Sequence, residues 1–253
     1  MAPAERVDAL ERAAFAAWPA EAVDDLDGWK LRFMHGVSRR ANSAWTFESR
    51  GALPLSERLA RVEAFYAERG APALLQVFPD HAPELDRELA ERGYRVDAPV
   101  SVLGASAARF SGQQPAIPTR VEARLFDAWF ELSALSGRFA AVAGVYRGLL
   151  ERLGDRALFA LAELDGQPAG AGLGVVDGEL CGVFSMLTLP HARRRGVGRA
   201  VLLALAHAAR RRGAQSLYLQ VEHENAAARA LYAAHGFEPR YAYHYRVSAA
   251  AQP

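Results

Sequence analysis

The sequence feature that most constrains the fold is an internal repeat with an offset of 143 residues. Arg69-Gly70-Ala71 matches Arg212-Gly213-Ala214, and Gly93-Tyr94 matches Gly236-Phe237, so that 213 − 70 and 236 − 93 both give 143. In each copy a helical pattern ends at the first glycine, a strand follows, and a second helical pattern ends at the second glycine. One such match is easily due to chance, but two at one offset with matching neighbours predict two related domains.

A polar stretch near the middle divides the chain unequally. Ser111-Gly112-Gln113-Gln114-Pro115, with Pro118 just after it, interrupts the periodic segments and is typical of a linker. The chain has 253 residues, and at roughly 150 residues per domain this length allows two small domains. We therefore predict a first domain at residues 1–110, a linker at 111–118 and a second domain at 119–253.

Composition and charge exclude several classes of protein. With 51% hydrophobic and 23% charged residues, the chain is too apolar for a disordered tail. Its 30 Lys+Arg and 29 Asp+Glu give a net charge of +1 and no reason to expect a nucleic acid or an anionic membrane as partner. No window approaches the ~20 apolar residues of a membrane span, and the N-terminus does not resemble a secretory signal. The single cysteine, Cys181, fits a reducing compartment. A cytoplasmic protein is expected.

Hydrophobic patterns predict a mixed α+β fold in both halves. Asp165-Gly166 and Asp177-Gly178 are typical of hairpin turns and join three strands into a meander. Helical and strand patterns alternate after the meander. The predicted strands are 73–78, 94–103, 117–124, 156–164, 169–176, 179–189, 216–222 and about 239–247, and the predicted helices are 57–69, 83–92, two stretches within 125–153, 196–212 and 225–235.

The segment from Leu189 to Ala200, here called the anion loop, joins a predicted strand to the N-terminus of a predicted helix. Glycines let the backbone approach a phosphate closely, the first N–H groups of a helix are unpaired donors, and the helix dipole favours negative charge there. Flanking arginines add charge-assisted hydrogen bonds. The loop lacks the third glycine of a dinucleotide fingerprint and the Gly-Lys-Ser/Thr of a Walker A loop. By itself it could equally be a solvated basic face.

Two motifs in order carry a family resemblance. Arg193-x-x-Gly196-x-Gly198 is followed, after a helix and a strand, by Asn225-x-x-Ala228-x-x-Leu231-Tyr232-x-x-x-Gly236-Phe237. With these motifs the chain resembles the GNAT superfamily of acyl-CoA-dependent N-acyltransferases from about Ile117 to Arg246. The first half is similar only in topology, because residues 50–55, which the offset of 143 places opposite the anion loop, lack the pattern. That half is not expected to hold a CoA.

The whole chain also resembles a bacterial tandem-GNAT group through Gly28-Trp29-Lys30-Leu31-Arg32 and Arg39-Arg40-Ala41-Asn42-Ser43. This resemblance implies an α+β (mixed αβα) fold of two GNAT-like domains, each a mixed, mostly antiparallel twisted sheet flanked by helices. It implies that the second domain is catalytic and uses acetyl-CoA as co-substrate, with the pantetheine arm on the end of a splayed strand and the pyrophosphate on the anion loop. The implied cofactor-binding residues are Leu187, Thr188, Leu189, Arg193, Arg194, Arg195, Gly196, Val197, Gly198, Arg199, Ala200 and Asn225.

The resemblance implies that Tyr232 is the general acid. A phenol can donate a hydrogen bond or a proton to the thiolate that leaves when an amine attacks a thioester, although Tyr232 could instead be an aromatic residue on a packed helix face. Asn225 offers an amide to the pantetheine arm or caps its helix, and the two roles can coexist. Glu222 is the leading candidate for the base that deprotonates the amine, with Glu179 second and a water-mediated route also open.

Other chemistries are less consistent with the residues. Glu222-His223-Glu224 lies in a strand whose neighbouring side chains point to opposite faces, so no metal site is expected. Cys181 has no adjacent histidine and no motif around it, which favours direct attack on the thioester over a covalent intermediate. The acceptor is expected to be a small-molecule or peptide amine, and the protein a monomer or homodimer. An acyl-CoA-binding sensor without turnover and a nucleic-acid-binding module are the rival hypotheses.

Overall fold

The computed structural model of the chain describes residues 3–135 and 139–249. Ser136-Gly137-Arg138, in a predicted helical stretch, and residues 1–2 and 250–253, at the ends of the predicted domains, lie outside the described residues. None of the described helices is long and apolar enough to cross a bilayer. The elements in chain order are α1 (Pro3–Ala16), β1 (Ala22–Leu26), β2 (Trp29–Phe33), β3 (Ala44–Trp45), α2 (Leu55–Ala67), β4 (Leu74–Val77), α3 (Pro83–Glu91), β5 (Arg95–Ser106), β6 (Thr119–Glu122), α4 (Asp127–Phe130), α5 (Ala143–Glu151), β7 (Ala157–Leu164), β8 (Gln167–Asp177), β9 (Leu180–Thr188), α6 (Val197–Arg211), β10 (Ser216–Glu222), α7 (Ala226–Ala234) and β11 (Glu238–Val247).

The chain divides into two compact units that interleave along the sequence. Unit 1 contains Met1–Ala17 and Val102–Arg240, and unit 2 contains Trp18–Ser101 and Tyr241–Pro253. The sequence predicts one boundary, at the linker 111–118. The observed division differs, because unit 1 includes the N-terminal segment Met1–Ala17 and unit 2 includes the C-terminal segment Tyr241–Pro253. The physical reason is that β5 and β11 each contribute residues to both units.

Unit 1 contains the predicted meander. Strands β6, β7, β8 and β9 pair antiparallel in chain order, and β10 pairs parallel with β9. Helix α6 packs against β7 and β8 and buries the apolar stripe that its spacing predicts, including Val201, Leu202 and Leu205. The mixed, mostly antiparallel sheet flanked by helices that the sequence predicts is therefore confirmed.

The predicted helical stretches within 125–153 form only in part. Helix α4 has four residues and continues as a π-helical turn, Glu131–Leu135, and α5 begins only after a 3₁₀ turn, Ala140–Val142. Helix α1 and strands β1 to β3 had no counterpart among the predicted elements, because the sequence before residue 57 offered no match to the repeat. The remaining elements of both halves agree with the prediction to within a few residues at each end.

Unit 2 begins with a hairpin. Strands β1 and β2 turn at Asp27 and Gly28, whose φ angles of 53° and 95° suit a type I′ turn. Strand β2 pairs antiparallel with β3, β3 pairs parallel with β4, and β4 pairs antiparallel with the end of β11. Helices α2 and α3 bury their apolar faces in this unit's core, with Leu59, Val62 and Tyr66 from α2 and Leu85 and Leu89 from α3.

The internal repeat is visible in the element boundaries. Helices α3 and α7 begin 226 − 83 = 143 residues apart, and strands β5 and β11 begin 238 − 95 = 143 residues apart. Nevertheless, the last residues of β11, His244–Val247, pair with β4 of unit 2, while the end of β5 belongs to unit 1. The last strand of each sequence repeat therefore ends in the unit that contains most of the other repeat.

Candidate active site

The anion loop follows β9 and leads into α6 within unit 1. Two residues of the loop have left-handed backbone, Arg194 with φ 62° and Gly196 with φ 86°, and Gly196 is the N-cap of α6 without any side-chain cap. Among the described residues, the main-chain N–H groups of positions 194–199 have no hydrogen-bond acceptor. Six consecutive unpaired donors at a helix N-terminus form a binding surface for an anion.

The arginines of the loop remain accessible to solvent. Arg193, Arg194, Arg195 and Arg199 are exposed; Arg195 forms an exposed ion pair with the carboxylate of Asp165 at 3.1 Å, and Arg199 Nη2 donates to Gln113 Oε1 at 3.2 Å. Such exposed contacts are worth little and are easily exchanged for a ligand. The guanidinium groups can therefore reach an anion held on the loop.

Val197 and Ala200 are placed differently from the rest of the predicted cofactor-binding set. Their side chains are only 1% and 2% exposed and pack in the core of unit 1. The two residues can therefore offer a cofactor only main-chain groups, and of these only the N–H of Val197 is unpaired, because the N–H of Ala200 donates to Gly196 O at 3.0 Å.

The ends of β9 and β10 separate beside the loop. Their parallel ladder runs from Leu180 opposite Ser216 to Val183 opposite Leu219 and ends there, whereas both strands continue. On its other edge β9 stays paired with β8 up to Thr188. One side of the resulting opening between the two strands is therefore lined by three half-buried residues, Leu187, Thr188 and Leu189. Their main-chain groups could pair there with an extended ligand that contains amides.

Strand β9 bulges at this opening. The register with β8 shifts between Ala171 and Leu173, so that Ser185 and Met186 together oppose Gly172. Ser185 has a left-handed φ of 48°, which is unusual for a residue other than glycine. No sequence pattern pointed to this bulge. The only local signal is a glycine, Gly172, within a strand pattern, which is consistent with close approach of neighbouring atoms.

Helix α7 meets the loop at Leu231, the residue before Tyr232. A Cβ atom at Gly198 would lie 3.3 Å from Leu231 Cδ2 and 3.6 Å from Thr188 Oγ1, so the start of α6, helix α7 and the end of β9 meet at one point. Tyr232 is 6% exposed and packs edge-on against Phe237. Burial raises the pKa of Tyr232 to about 12, and its hydroxyl has no hydrogen-bond partner among the described residues. The phenol therefore stays protonated at neutral pH and has a proton to donate.

Asn225 is the N-cap of α7. Its side-chain oxygen accepts a hydrogen bond from the N–H of Ala228 at 3.0 Å, which is the capping role that the sequence left open. The residue is exposed and is seven positions before Tyr232, so the two lie on nearly the same face of α7. The cap engages the oxygen of the side-chain amide and leaves its NH₂ group for other partners.

The two candidate bases lie at opposite ends of the sheet. Glu222 is half-buried at the end of β10, and because β10 runs parallel to β9, it lies at the same end as Thr188 and the anion loop. Glu179 precedes β9 and accepts a hydrogen bond from the side chain of Gln215. It lies about 25 Å from Glu222, at ~3.3 Å per residue along β10. Of the two predicted bases, only Glu222 therefore lies at the loop's end of the sheet.

Cys181 lies away from the anion loop, at the opposite end of β9. Cys181 is fully buried in β9, and burial raises the pKa of its thiol to about 12. A thiol of that pKa is a poor nucleophile at neutral pH. Within the part of the chain that the structure describes, no cluster of three or more His, Cys, Asp or Glu side chains is arranged to hold a metal ion.

The corresponding loop of unit 2 is closed by a carboxylate of the chain itself. Asp27 Oδ1 accepts from the N–H of Ala52 and Asp27 Oδ2 from the N–H of Leu53, both at 3.1 Å, and its main-chain oxygen accepts from the N–H of Arg50 at 2.8 Å. The side chain of Asp27 is 3% exposed and 3.8 Å from the guanidinium of Arg58. The N–H groups of Leu53 and Ala52, together with nearby arginines, lower the pKa of Asp27. An anion therefore already fills this loop.

Two parallel strands that separate beside an arginine- and glycine-containing loop at a helix N-terminus define the class of GNAT-type acyltransferases. The sequence matches the family described as "Probable histone acetyltransferase Rv0428c C-terminal" over residues 5–246. The chain therefore belongs to this family of GNAT N-acetyltransferases.

Individual relatives agree with this assignment. The Bacillus subtilis protein named "Uncharacterized N-acetyltransferase YobR" is 29% identical over 243 residues, covering 94% of this chain and 97% of its own. A GCN5-related N-acetyltransferase from Kribbella flavida has the same fold, with a TM-score of 0.70 at 15% identity over 97% of this chain and 95% of that one. A tandem GNAT protein from the clavulanic acid biosynthesis pathway gives a TM-score of 0.63 at 14% identity over 83% and 76% of the two chains.

Proposed function

We propose that this acyltransferase moves an acetyl group from acetyl-CoA to a primary amine, and that unit 1 alone carries the reaction. The observation that supports this most strongly is the run of six unpaired N–H groups at positions 194–199 among exposed arginines. That donor set fits a pyrophosphate better than a single phosphate, because it extends over two turns of backbone. The acceptor amine belongs to a small molecule or a peptide.

The residues of the opening fit the rest of the co-substrate. Leu187, Thr188 and Leu189 would hold the amide-rich arm through their main chain, since β9 has left its partner strand there. The loop arginines and the N-terminus of α6 would hold the phosphates. When bound, acetyl-CoA supplies an activated acetyl group whose thioester carbon accepts the amine.

Tyr232 would stabilise the leaving thiolate as a hydrogen-bond donor rather than by full proton transfer. With its pKa raised to about 12, the phenol is a weaker acid than a thiol near ~8.5, and complete transfer to the thiolate is uphill by roughly 5 kcal/mol. A hydrogen bond to the developing negative charge needs no such transfer and is strong because it is charge-assisted. The thiolate is then protonated from water.

Glu222 would accept the proton that the amine loses. The nitrogen forms a bond to the acetyl carbon, the carbon–sulfur bond breaks, and the amine proton passes to the carboxylate directly or through one water. A covalent acetyl-enzyme is not part of this scheme, because buried Cys181 is held protonated by its raised pKa. A route that uses water alone would show undiminished turnover in the Glu222→Gln variant.

The experiment is a measurement of thiol release from acetyl-CoA over a panel of amines comprising an amino acid, spermidine, glucosamine and a peptide with a free N-terminus. We expect turnover with at least one class. In the Tyr232→Phe variant kcat should fall about 10- to 100-fold, while KM for acetyl-CoA stays near the wild-type value. Tyr66→Phe is the matched control, because it removes another buried phenol, which donates to Arg32 O in unit 2.

Three outcomes would contradict the proposal. Acetyl-CoA binding without transfer to any amine would favour the acyl-CoA sensor. Equal activity of the Tyr232→Phe variant and the wild type at every pH would remove Tyr232 from the chemistry. Trapping of an acetylated side chain in a rapid quench would replace direct attack by a two-step transfer.

A further inference from the structure

The bulge in β9 is held from outside the sheet by two aromatic side chains. Tyr146 Oη of α5 and Ser185 Oγ share a hydrogen bond of 2.8 Å. Trp129 of α4 donates its indole N–H to Gly172 O, directly opposite the bulge, at 3.0 Å. Both contacts come from the irregular α4–α5 segment, and both end on residues at the register shift between β8 and β9.

Tyr146 is placed with little freedom. It is fully buried, and its ring stacks on Phe139 with the centroids 3.8 Å apart and the planes 17° apart. A hydroxyl on such a fixed ring is a rigid anchor, because its position depends on packing rather than on a flexible side chain. Ser185, by contrast, is half-buried and lies at the open part of β9.

Ser185 needs such an anchor. A serine with φ 48° is strained relative to extended backbone, and strain of this kind persists only where the surroundings fix it. Side chains pack closely over Gly172 opposite the bulge, because a Cβ there would lie 2.8 Å from Met186 Sδ and 2.6 Å from Val201 Cγ1. The hydroxyl pair and this tight packing together fix the direction of the main chain at residues 185–187.

We propose that Tyr146 is a positioning residue for acyl transfer. Through Ser185 it holds the bulge in the one conformation that directs the main-chain N–H groups of β9 into the opening where the thioester carbonyl would lie. This inference rests on the proposed function, since it concerns the same site. In this role Tyr146 acts through Ser185 rather than on a reacting atom.

A double-mutant cycle separates positioning from simple packing. Tyr146→Phe keeps the ring and its stacking on Phe139 but removes the anchor, and we expect kcat to fall about 3- to 10-fold with KM for acetyl-CoA unchanged. Ser185→Ala should give the same loss, and the double variant no further loss. Ser185→Gly provides the decisive background, because glycine adopts positive φ without support. In that background Tyr146→Phe should have no effect on kcat.

A second readout does not depend on turnover. The carbonyl stretch of acetyl-CoA labelled with ¹³C at the carbonyl reports the hydrogen bonds made to the thioester oxygen. We expect a lowered frequency in the wild-type complex, a frequency nearer to that of free acetyl-CoA in Tyr146→Phe, and the wild-type value in Tyr146→Phe/Ser185→Gly. The backbone chemical shifts of Ser185 in the free protein should lose their left-handed signature in Tyr146→Phe.

The outcomes distinguish this inference from the proposed function. One outcome is that the wild type binds acetyl-CoA and transfers its acetyl group while Tyr146→Phe has the same kcat and carbonyl frequency as the wild type. In that case the positioning role is wrong and the proposed function stands. If the wild type does not bind acetyl-CoA, both are wrong. Should Tyr146→Phe unfold, the Ser185→Ala and Ser185→Gly pair tests the same bulge without touching the core, and equal kcat in both would overturn the inference. Tyr66→Phe should leave kcat and the carbonyl frequency unchanged.

Discussion

The anion loop after β9 and its counterpart after β3 occupy equivalent places in the repeat but have opposite chemistry. In unit 1 the loop offers six unpaired N–H groups, whereas in unit 2 Asp27 takes three N–H groups of the loop. At the offset of 143, Leu53 and Leu55 stand opposite Gly196 and Gly198. One repeat therefore leaves the N–H groups of its loop unpaired, and the other pairs N–H groups of its loop with its own Asp27.

The same contrast extends to the strands and to the second helix of each repeat. The β3–β4 ladder reaches Trp45, the last residue of β3, while β9 runs on past the end of its ladder with β10. Leu89, which is fully buried, stands opposite Tyr232. The N-cap residue of helix α3, Ala82, makes no side-chain cap and stands opposite the capping Asn225. In unit 2 the paired strand end and the loop filled by Asp27 thus occur together.

The largest effect is expected from making unit 1 resemble unit 2. Gly196→Asp places a carboxylate at the N-cap of α6, where aspartate is a good cap and tolerates left-handed backbone. The new charge should compete with the phosphates and weaken acetyl-CoA binding by about 100-fold, or roughly 2.7 kcal/mol, while the left-handed φ of 86° lowers stability by about 1 kcal/mol. Titration calorimetry measures the affinity, and thermal unfolding checks the fold. Gly213→Asp, at the other end of α6, is the control and should keep wild-type affinity.

An intermediate effect is expected from the loop arginines. Arg193→Ala and Arg194→Ala each remove one exposed guanidinium, and each should weaken acetyl-CoA binding about 3- to 10-fold. The loss should shrink at 1 M salt, because screening weakens the exposed charges. Arg87→Ala, an exposed arginine of unit 2, should change neither affinity nor its salt dependence. A salt-independent affinity in the wild type would contradict an electrostatic role for the loop.

Asn225 separates capping from ligand binding. Asn225→Ala should destabilise the protein by about 1 kcal/mol through the lost cap, as measured by chemical denaturation. Asn225→Asp keeps the cap and loses the NH₂ group. If the amide only caps α7, Asn225→Asp will keep both stability and acetyl-CoA affinity, whereas a selective loss of affinity would assign it to the co-substrate.

The smallest effect on activity is expected from opening the loop of unit 2. Asp27→Asn should lower the midpoint of thermal unfolding by a few degrees, with kcat unchanged. Because the folded-state pKa of Asp27 is lowered, its contribution to stability is present above the unfolded pKa near ~3.9 and is lost as pH falls through the folded pKa. The stability difference between the wild type and the variant should therefore begin to shrink below about pH 4 and disappear once the pH is below the folded-state pKa. A stability difference that grows with acidification would contradict this assignment.

Sequence predicted the parts of the site that depend on local chemistry. The boundaries of α6 and α7 follow from apolar spacing and from Gly213 and Gly236, and the open loop follows from Gly196 and Gly198 between arginines. Asn225 at the start of α7 was recognisable as a cap because its residue type and position specify one. The catalytic and cofactor roles of these residues remain predictions.

The parts that sequence could not predict depend on long-range contacts. Ser185 carries no pattern of its own, and its partner Tyr146 is 39 residues away on a helix that the spacing placed only loosely. Asp27 reaches Leu53 across 26 residues because of a hairpin that had no counterpart in the repeat. The end of β11 crosses to β4, and periodicity gives no information about which strand a buried strand will join.

The number of acetyl-CoA molecules bound per chain tests the central claim most directly. Calorimetric titration of the wild type, Gly196→Asp and Asp27→Asn should give one site in the wild type, the same single site in Asp27→Asn, and an affinity about 100-fold weaker in Gly196→Asp. Two sites in the wild type, or undiminished binding in Gly196→Asp, would contradict the division between an open loop in unit 1 and a filled loop in unit 2.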